Sequence, residues 1–160
     1  MQFNVSQLII GPIGIVKRHS IYSAINGMSM DDASVVEGSV AMMRTDAGVL
    51  VQGEFKANIT CNCVRCLRDF AKTIDLSFEE EYVPVLNFKR FTTKEDLAIE
   101  NLLIDANNLL DLEPTIREYV ELNKPVNPVC NGQCPGICSR CGVDLSQVTC
   151  LCNTPAAMSI

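Results

Sequence analysis

The most regular hydrophobic pattern in this chain lies between residues 49 and 61, where every second side chain is apolar apart from Gly53. A period of two predicts a half-buried antiparallel strand, and we interpret Gly53 as a bulge within it. Another apolar segment, residues 35–44, precedes this strand, and Thr45-Asp46-Ala47-Gly48 separates the two. Four residues form a common hairpin loop, so the two segments are predicted to pair as a β-hairpin.

Weaker patterns lie on either side of the hairpin. The alternation returns at residues 73–79, which predicts a third long strand. Gly11-Pro12 and Gly14 interrupt the apolar runs of residues 3–25, so we expect two short strands there, or one strand and an irregular segment. Two further connections are predicted, a turn-rich segment at residues 26–32 and an exposed loop at residues 84–94.

A helix is predicted near residues 111–123. Asp111 can accept hydrogen bonds from the first amides of this helix, Pro114 is tolerated in its first turn, and Lys124-Pro125 ends it. Apolar residues at helical spacing form its inner face: Leu112, Ile116, Tyr119 and Val120.

Together these elements predict an α+β fold, mainly antiparallel β with one or two short helices. We expect a β-rich domain over residues 1–126 that contains the cysteine pair 63/66 and the predicted helix, and a cysteine-rich tail over residues 127–160 packed on it. With 160 residues, of which 48% are hydrophobic, the chain can bury a real core without covalent staples. Its nine cysteines therefore need a chemical explanation.

The cellular compartment decides how cysteines are used. Residues 1–5 show no basic segment leading into a long apolar core, and no apolar run approaches the length of a membrane span. We therefore expect a cytoplasmic protein that does not bind membranes. Thiols stay reduced there, so closely spaced cysteines are more often metal ligands than disulfides.

Eight of the nine cysteines fall into four closely spaced pairs: Cys63 with Cys66, Cys130 with Cys134, Cys138 with Cys141, and Cys150 with Cys152. Two cysteines separated by two residues can bind Zn²⁺ from a tight turn, and two such half-sites complete a tetrahedral site. Four half-sites therefore predict two structural zinc ions, and they make the tail over residues 127–160 a C-terminal zinc-binding knuckle. Four thiolates leave no position on the metal for water or substrate, so we expect no catalytic residue and no enzymatic activity.

The half-sites can be combined in more than one way. Joining the third pair with the fourth closes a short loop at small entropic cost, and it leaves the first pair for the second. The alternative joins the second pair with the third. Loop closure favours the first partition, in which one metal would hold the tertiary fold together and the other would hold the tail.

Two residues with metal-binding side chains are not predicted to be ligands. Cys61 shares the apolar face of residues 49–61, so we expect a buried core thiol. His19 is the single histidine and stands beside Lys17 and Arg18, so we expect a surface residue.

The cysteine motifs and their surroundings follow a family pattern over nearly the whole chain. The segments that carry it are Phe3-Asn4-Val5-Ser6-Gln7-Leu8, Cys63-Val64-Arg65-Cys66-Leu67, Tyr82-Val83-Pro84, Asp111-Leu112, Arg117-Glu118, Pro128-Val129-Cys130, Cys134-Pro135-Gly136-Ile137-Cys138-Ser139-Arg140-Cys141-Gly142 and Cys150-Leu151-Cys152. This pattern resembles the YceD family, the large ribosomal RNA subunit accumulation proteins. The resemblance implies a role in making or keeping large-subunit (23S-type) ribosomal RNA during assembly of the large ribosomal subunit.

Net charge narrows the choice of partner. The formal charge is −6 and the isoelectric point is about 4.7, whereas a dedicated nucleic-acid binder is usually basic. Each Cys₄ zinc site would add −2, which takes the total to about −10. We therefore expect a ribosomal protein or a large-subunit assembly intermediate as partner, and no small-molecule substrate. Any direct RNA contact would be local, through Arg65, Arg68, Lys89, Arg90 or Lys94.

Two other functions are compatible with the cysteine motifs. A zinc-ribbon module acting on nucleic acid or in transcription would need a basic recognition face. A thiol redox sensor would need exposed thiols of low pKa beside a resolving partner.

Overall fold

The computed structural model describes residues 1–25, 34–85 and 102–153. Within these ranges the chain forms two α-helices and two β-sheets. In chain order the elements are β1 (Gln2–Asn4), α1 (Ser6–Ile10), β2 (Val16–Ile25), β3 (Ser34–Arg44), β4 (Val49–Asn62), β5 (Asp69–Pro84), β6 (Leu103–Ile104), β7 (Leu109–Asp111), α2 (Glu113–Asn123) and a 3₁₀ turn (Leu151–Asn153).

The chain divides into two compact units. The first unit contains residues 1–59 and 73–124, and the second contains residues 60–72 and 125–160. The second unit therefore combines the segment around the first cysteine pair with the cysteine-rich end of the chain.

The larger sheet of the described residues has the strand order β2-β3-β4-β5-β6. Its first two pairings, β2 with β3 and β3 with β4, are antiparallel, whereas β6 lies parallel to β5. The pairing of β3 with β4 ends with Arg44 opposite Val49, so the predicted hairpin and its four-residue loop are confirmed. The predicted α+β class, mainly antiparallel with one or two short helices, is confirmed for the part of the chain that the structure describes, which has two.

The prediction of a bulge at Gly53 is wrong. The register between β3 and β4 runs without interruption, and Gly53 lies directly opposite Val40. A Cβ atom at this position would lie 2.6 Å from the ring of Phe55 and 2.7 Å from the ring of Phe78. These two rings stack with their centroids 5.8 Å apart. Gly53 thus provides the space that the stacked rings need.

The core of the first unit lies on one face of the larger sheet. The predicted alternation in β4 is confirmed, because its odd-numbered residues are buried throughout. Helix α2 packs against β5, since the Tyr119 ring lies 5.1 Å from that of Phe78, and the buried hydroxyls of Tyr82 and Thr115 are 2.6 Å apart. The helix contributes Ile116 and Val120 to the core.

The open face of the same sheet is polar and rich in carboxylates. Across β3, β4 and β5 it exposes Glu37, Glu54, Asp75 and Glu79, with Lys56 as the basic residue among them. Gln52 of β4 donates a hydrogen bond to Glu79 of β5 at 2.7 Å.

The N-terminal segment differs from its prediction, because residues 6–10 form a helix rather than a strand or an irregular segment. Strand β1 pairs with β7 in a separate two-stranded sheet, where Phe3 lies opposite Leu110. Helix α2 is close to its predicted range, although Leu112 and not Asp111 is its N-cap residue. The Asp111 carboxylate still accepts a hydrogen bond from the Glu113 amide at 3.0 Å.

None of the described helices has the length and apolar character that crossing a membrane requires. The predicted connection at residues 26–32 and most of the predicted loop at residues 84–94 lie outside the described residues.

Candidate metal centres

The first cysteine pair sits in a tight loop held by two backbone hydrogen bonds. The Cys63 amide donates to the Arg68 carbonyl at 2.8 Å, and the Leu67 amide donates to the Cys63 carbonyl at 2.8 Å. Leu67, directly after the second cysteine, has a positive φ of 62°. This loop turns both thiols to the same side, as a metal-binding knuckle requires.

The pair Cys138 and Cys141 repeats this construction. The Cys138 amide donates to the Val143 carbonyl at 2.8 Å, and the Gly142 amide donates to the Cys138 carbonyl at 2.8 Å. Gly142 has a φ of 72°, and it occupies the position that Leu67 takes in the first loop. The two loops are therefore equivalent in backbone structure.

Backbone hydrogen bonds within the second unit place Cys130 and Cys134 beside the first loop. The Val64 amide donates to the Pro128 carbonyl at 2.9 Å, and the Ile137 amide donates to the Arg65 carbonyl at 3.1 Å. These two bonds flank the segment that contains Cys130 and Cys134. Gly136 allows the two segments to lie close together. Its φ is 79°, and a Cβ atom there would lie 3.0 Å from the Arg65 carbonyl oxygen.

The first cluster contains Cys63, Cys66, Cys130 and Cys134. Its Sγ atoms all lie within 4.8 Å of one another, with Cys63 3.9 Å from Cys134 and Cys66 3.8 Å from Cys130. Sulfur atoms bound at about 2.3 Å to a tetrahedral metal are about 3.8 Å apart, so these separations fit a metal ion. Three of the cysteines are buried, and Phe70 and Val129 pack against them.

The second cluster contains Cys138, Cys141, Cys150 and Cys152, and its Sγ atoms also lie within 4.8 Å of one another. Cys150 is 3.3 Å from Cys138 and 3.5 Å from Cys141. None of the four is fully buried, and Cys141 is exposed. Both clusters could hold a metal ion, and the second is more open to solvent. The structure thus brings together the two sets of four that loop closure favours.

Hydrogen bonding lowers the pKa of at least one thiol in each cluster and so favours its ionisation. Burial opposes ionisation of Cys63, but backbone hydrogen bonds from Cys66, Cys130 and Arg65 outweigh it and lower the pKa of Cys63 to about 6. Backbone hydrogen bonds from Cys141 and Arg140 likewise lower the pKa of Cys138 to about 6. By contrast, burial raises the pKa of Cys134 to about 12. A cation that binds all four thiolates must therefore displace protons from the cluster.

Comparison with known protein families gives a match that covers both cysteine clusters. The model of a family described as "Large ribosomal RNA subunit accumulation protein YceD" matches residues 51–157, which is more than half of the chain and includes every cysteine of both clusters. The chain belongs to the YceD family.

Several curated proteins resemble this YceD family member. An uncharacterized protein of Mycobacterium tuberculosis is 29% identical over 119 residues, which cover 74% of this chain and 56% of that protein. An uncharacterized protein of Mycobacterium leprae is 31% identical over 97 residues, covering 61% of this chain and 43% of the relative. The chloroplastic "Large ribosomal RNA subunit accumulation protein YCED homolog 1" of Arabidopsis thaliana is 27% identical, covering 76% and 45%. The chain spans about half the length of these relatives. No solved structure gives a significant match.

Two of the five basic residues considered for RNA contact have partners within the second unit of this YceD chain. Arg68 forms an ion pair with Asp144 at 3.0 Å and donates a hydrogen bond to Ser146 at 2.7 Å. Its guanidinium also hydrogen-bonds the Cys66 thiol and lowers the pKa of that thiol. Arg65 donates to the Cys134 carbonyl at 3.0 Å. The other three candidates, Lys89, Arg90 and Lys94, lie outside the described residues.

The structure also shows the positions of Cys61 and His19, which were not predicted to be metal ligands. Cys61 is buried on the inner face of β4, as predicted, and it belongs to neither cluster. His19 is exposed, as predicted, and its ring lies 5.2 Å from that of Phe3.

Sequence analysis missed Arg140, which donates from its guanidinium to the Cys152 carbonyl at 3.4 Å. The signal was present in the sequence, since both close pairs read Cys-x-Arg-Cys: Cys63-Val64-Arg65-Cys66 and Cys138-Ser139-Arg140-Cys141.

Proposed function

We propose that this protein is a non-enzymatic, zinc-binding factor for ribosome biogenesis that supports synthesis, processing or accumulation of large-subunit (23S) rRNA. The observation that carries this proposal is membership of the YceD family through a match that includes both cysteine clusters. The Arabidopsis relative, whose name describes it as a large ribosomal RNA subunit accumulation protein homolog, supports the same role.

The donor set supports zinc as the metal. Four thiolates in tetrahedral arrangement suit Zn²⁺, and the separations of 3.8 and 3.9 Å in the first cluster fit that geometry. A site saturated by four thiolates has no open position for chemistry, which supports a structural role for the metal and a non-enzymatic role for the protein. Iron would also accept four thiolates, and elemental analysis distinguishes the two metals.

Charge supports a basic protein as the partner. The chain carries −6 before any metal site is counted, and carboxylates dominate the open face of the larger sheet. Such a surface repels phosphate and attracts the basic proteins that coat ribosomal RNA. We propose that this sheet face contacts a ribosomal protein within a large-subunit assembly intermediate.

The role in rRNA accumulation is tested by depleting the protein in its source organism. We expect large-subunit rRNA to fall relative to small-subunit rRNA, and wild-type protein to restore it. The Cys63→Ser/Cys66→Ser variant should fail to restore it because the first cluster is lost. Normal amounts of mature large-subunit rRNA after depletion would count against the proposed function.

The choice of partner is tested by sedimentation of the metal-loaded protein at physiological salt. We expect it to sediment with large-subunit assembly particles and to bind naked rRNA fragments weakly. Glu54→Lys on the open sheet face should weaken binding to particles, whereas Glu118→Lys, an exposed residue of α2 with the same change of charge, should not. Tight binding to naked rRNA with a steep salt dependence would instead favour direct RNA recognition.

A further inference from the structure

The arginine of each Cys-x-Arg-Cys loop makes the same contact. Arg65 donates from Nη1 to the Cys134 carbonyl at 3.0 Å, and Arg140 donates from Nη1 to the Cys152 carbonyl at 3.4 Å. Cys134 and Cys152 are the last cysteines in sequence of their respective clusters. Each arginine therefore connects the knuckle of one half-site to the backbone of the cysteine that completes the tetrahedron.

We propose that Arg65 and Arg140 are equivalent positioning residues that hold the last ligand of each metal site. They contact no metal themselves. The hydrogen bond fixes the main chain at Cys134 or Cys152, and this placement directs the thiol of that residue toward the other three. Groups that orient metal ligands in this way typically contribute about 10–100-fold to metal affinity.

Several observations separate this role from an accidental contact. The two arginines occupy the same position in loops whose backbone hydrogen bonds are the same, and the two clusters differ in burial, so a common environment does not explain the contact. The carbonyl of Arg65 also accepts a hydrogen bond from the Ile137 amide at 3.1 Å, which fixes the chain three residues after Cys134.

The inference rests on the metal binding proposed above, and the experiment separates the two. Metal-loaded full-length protein is mixed with a chelator and a thiol-alkylating reagent, and mass spectrometry of its peptides follows each cysteine. The variants are Arg65→Gln and Arg140→Gln. Arg18→Gln, an exposed residue of β2 with the same loss of charge, is the control.

We expect Arg65→Gln to speed labelling of the first cluster by about 10–100-fold while the second keeps its wild-type rate, and Arg140→Gln to do the reverse. With Co²⁺ in place of Zn²⁺, each variant should also change the thiolate-to-metal absorption bands. Arg65→Lys keeps the charge and a hydrogen-bond donor, so it should restore more of the wild-type rate than Arg65→Gln does.

Two results would overturn the positioning role. One is labelling of Arg65→Gln and Arg140→Gln at the rate of Arg18→Gln. Another is equal acceleration at both clusters in either variant, which would mean general loosening of the second unit. Wild-type protein that binds no metal would instead refute the metal binding proposed for the function, and the inference with it.

Discussion

Leu67 has a backbone conformation that glycine adopts more easily. Its φ of 62° lies in the left-handed region, and 60% of its surface is exposed, so its side chain gains little from packing. Gly142 has the same place in the second knuckle, and nothing lies within 4 Å of where its Cβ would be. Comparing Leu67 with Gly142 therefore measures the free-energy cost of placing a side chain on a backbone in the left-handed conformation.

We expect Leu67→Gly to raise the free energy of unfolding by up to about 1 kcal/mol, because it removes this strain. Gly142→Ala should lower it by about 1 kcal/mol, because it introduces the same strain without a steric clash. Urea unfolding of the metal-loaded protein measures both. Destabilisation by Leu67→Gly would show that the exposed leucine side chain makes a contact that outweighs the strain.

At the scale of elements, helix α2 and strand β5 meet at a buried pair of hydroxyls. Tyr82 is inaccessible to solvent, and its hydroxyl lies 2.6 Å from that of Thr115. Burial disfavours the phenolate and raises the pKa of Tyr82 to about 12. The folded protein therefore keeps this proton at a pH at which the unfolded chain, with a tyrosine pKa near 10, has lost it.

Because the folded state holds the proton more tightly, Tyr82 contributes stability below pH 10 that is lost as the pH rises from 10 to 12. Tyr82→Phe removes this dependence, which amounts to on the order of 2 kcal/mol, and it also costs about 1 kcal/mol at neutral pH through the lost hydroxyl contact. Denaturant unfolding at several pH values from 8 to 12 measures both effects. Tyr119, whose bond to Glu80 raises its pKa to about 12, remains in the variant as a shared background. An equally steep alkaline loss in Tyr82→Phe would contradict this assignment.

The elements that sequence analysis predicted correctly are those with a local signal. Alternation over residues 49–61 is long and regular, and the four-residue loop before it determines the hairpin. The third strand was recognised only at residues 73–79, although it extends over Asp69–Pro84. Its start was missed because the first residues are exposed or half-buried and show no alternation. The pairing of β1 with β7 joins residues more than one hundred positions apart and leaves no local pattern. Helix α1 has five residues, which is too short for a helical period to show.

The grouping of the cysteines could be predicted because close spacing along the chain also favours formation of the clusters. Cysteine spacing is a local signal, and loop-closure entropy ranks the ways of combining half-sites, so the two groups of four followed from the sequence. The roles of Arg65 and Arg140 did not, because their partners are backbone carbonyls that lie 69 and 12 residues away. Carbonyl groups occur at every position, so no sequence pattern distinguishes the one that an arginine will reach.

At the scale of the whole molecule, the two units differ in what stabilises them. The first unit has an extensive apolar core, with Val36, Val51 and Ile116 fully buried, and it contains no residue of either cluster. In the second unit the buried group consists of Cys63, Cys66 and Cys134, with Phe70 and Val129 packed against them. A core made largely of metal ligands offers little stabilisation once the metal is gone, because the bonds to the metal are lost and few apolar side chains remain to hold the segments together.

Removal of the metal should therefore unfold the second unit and leave the first one folded. We expect hydrogen exchange, followed by mass spectrometry with a chelator and a reducing agent present, to show lost protection in residues 60–72 and 125–153. Residues 36–58 and 113–123 should keep their protection, because their hydrogen bonds belong to a unit whose core does not depend on metal.

The second cluster should lose its metal first, because its cysteines are more exposed than those of the first. Cys61→Ser is the control variant, since that thiol lies in neither cluster and its replacement should leave the metal content unchanged. Loss of protection across both units at the same chelator concentration would show instead that the metal sites hold the whole fold together.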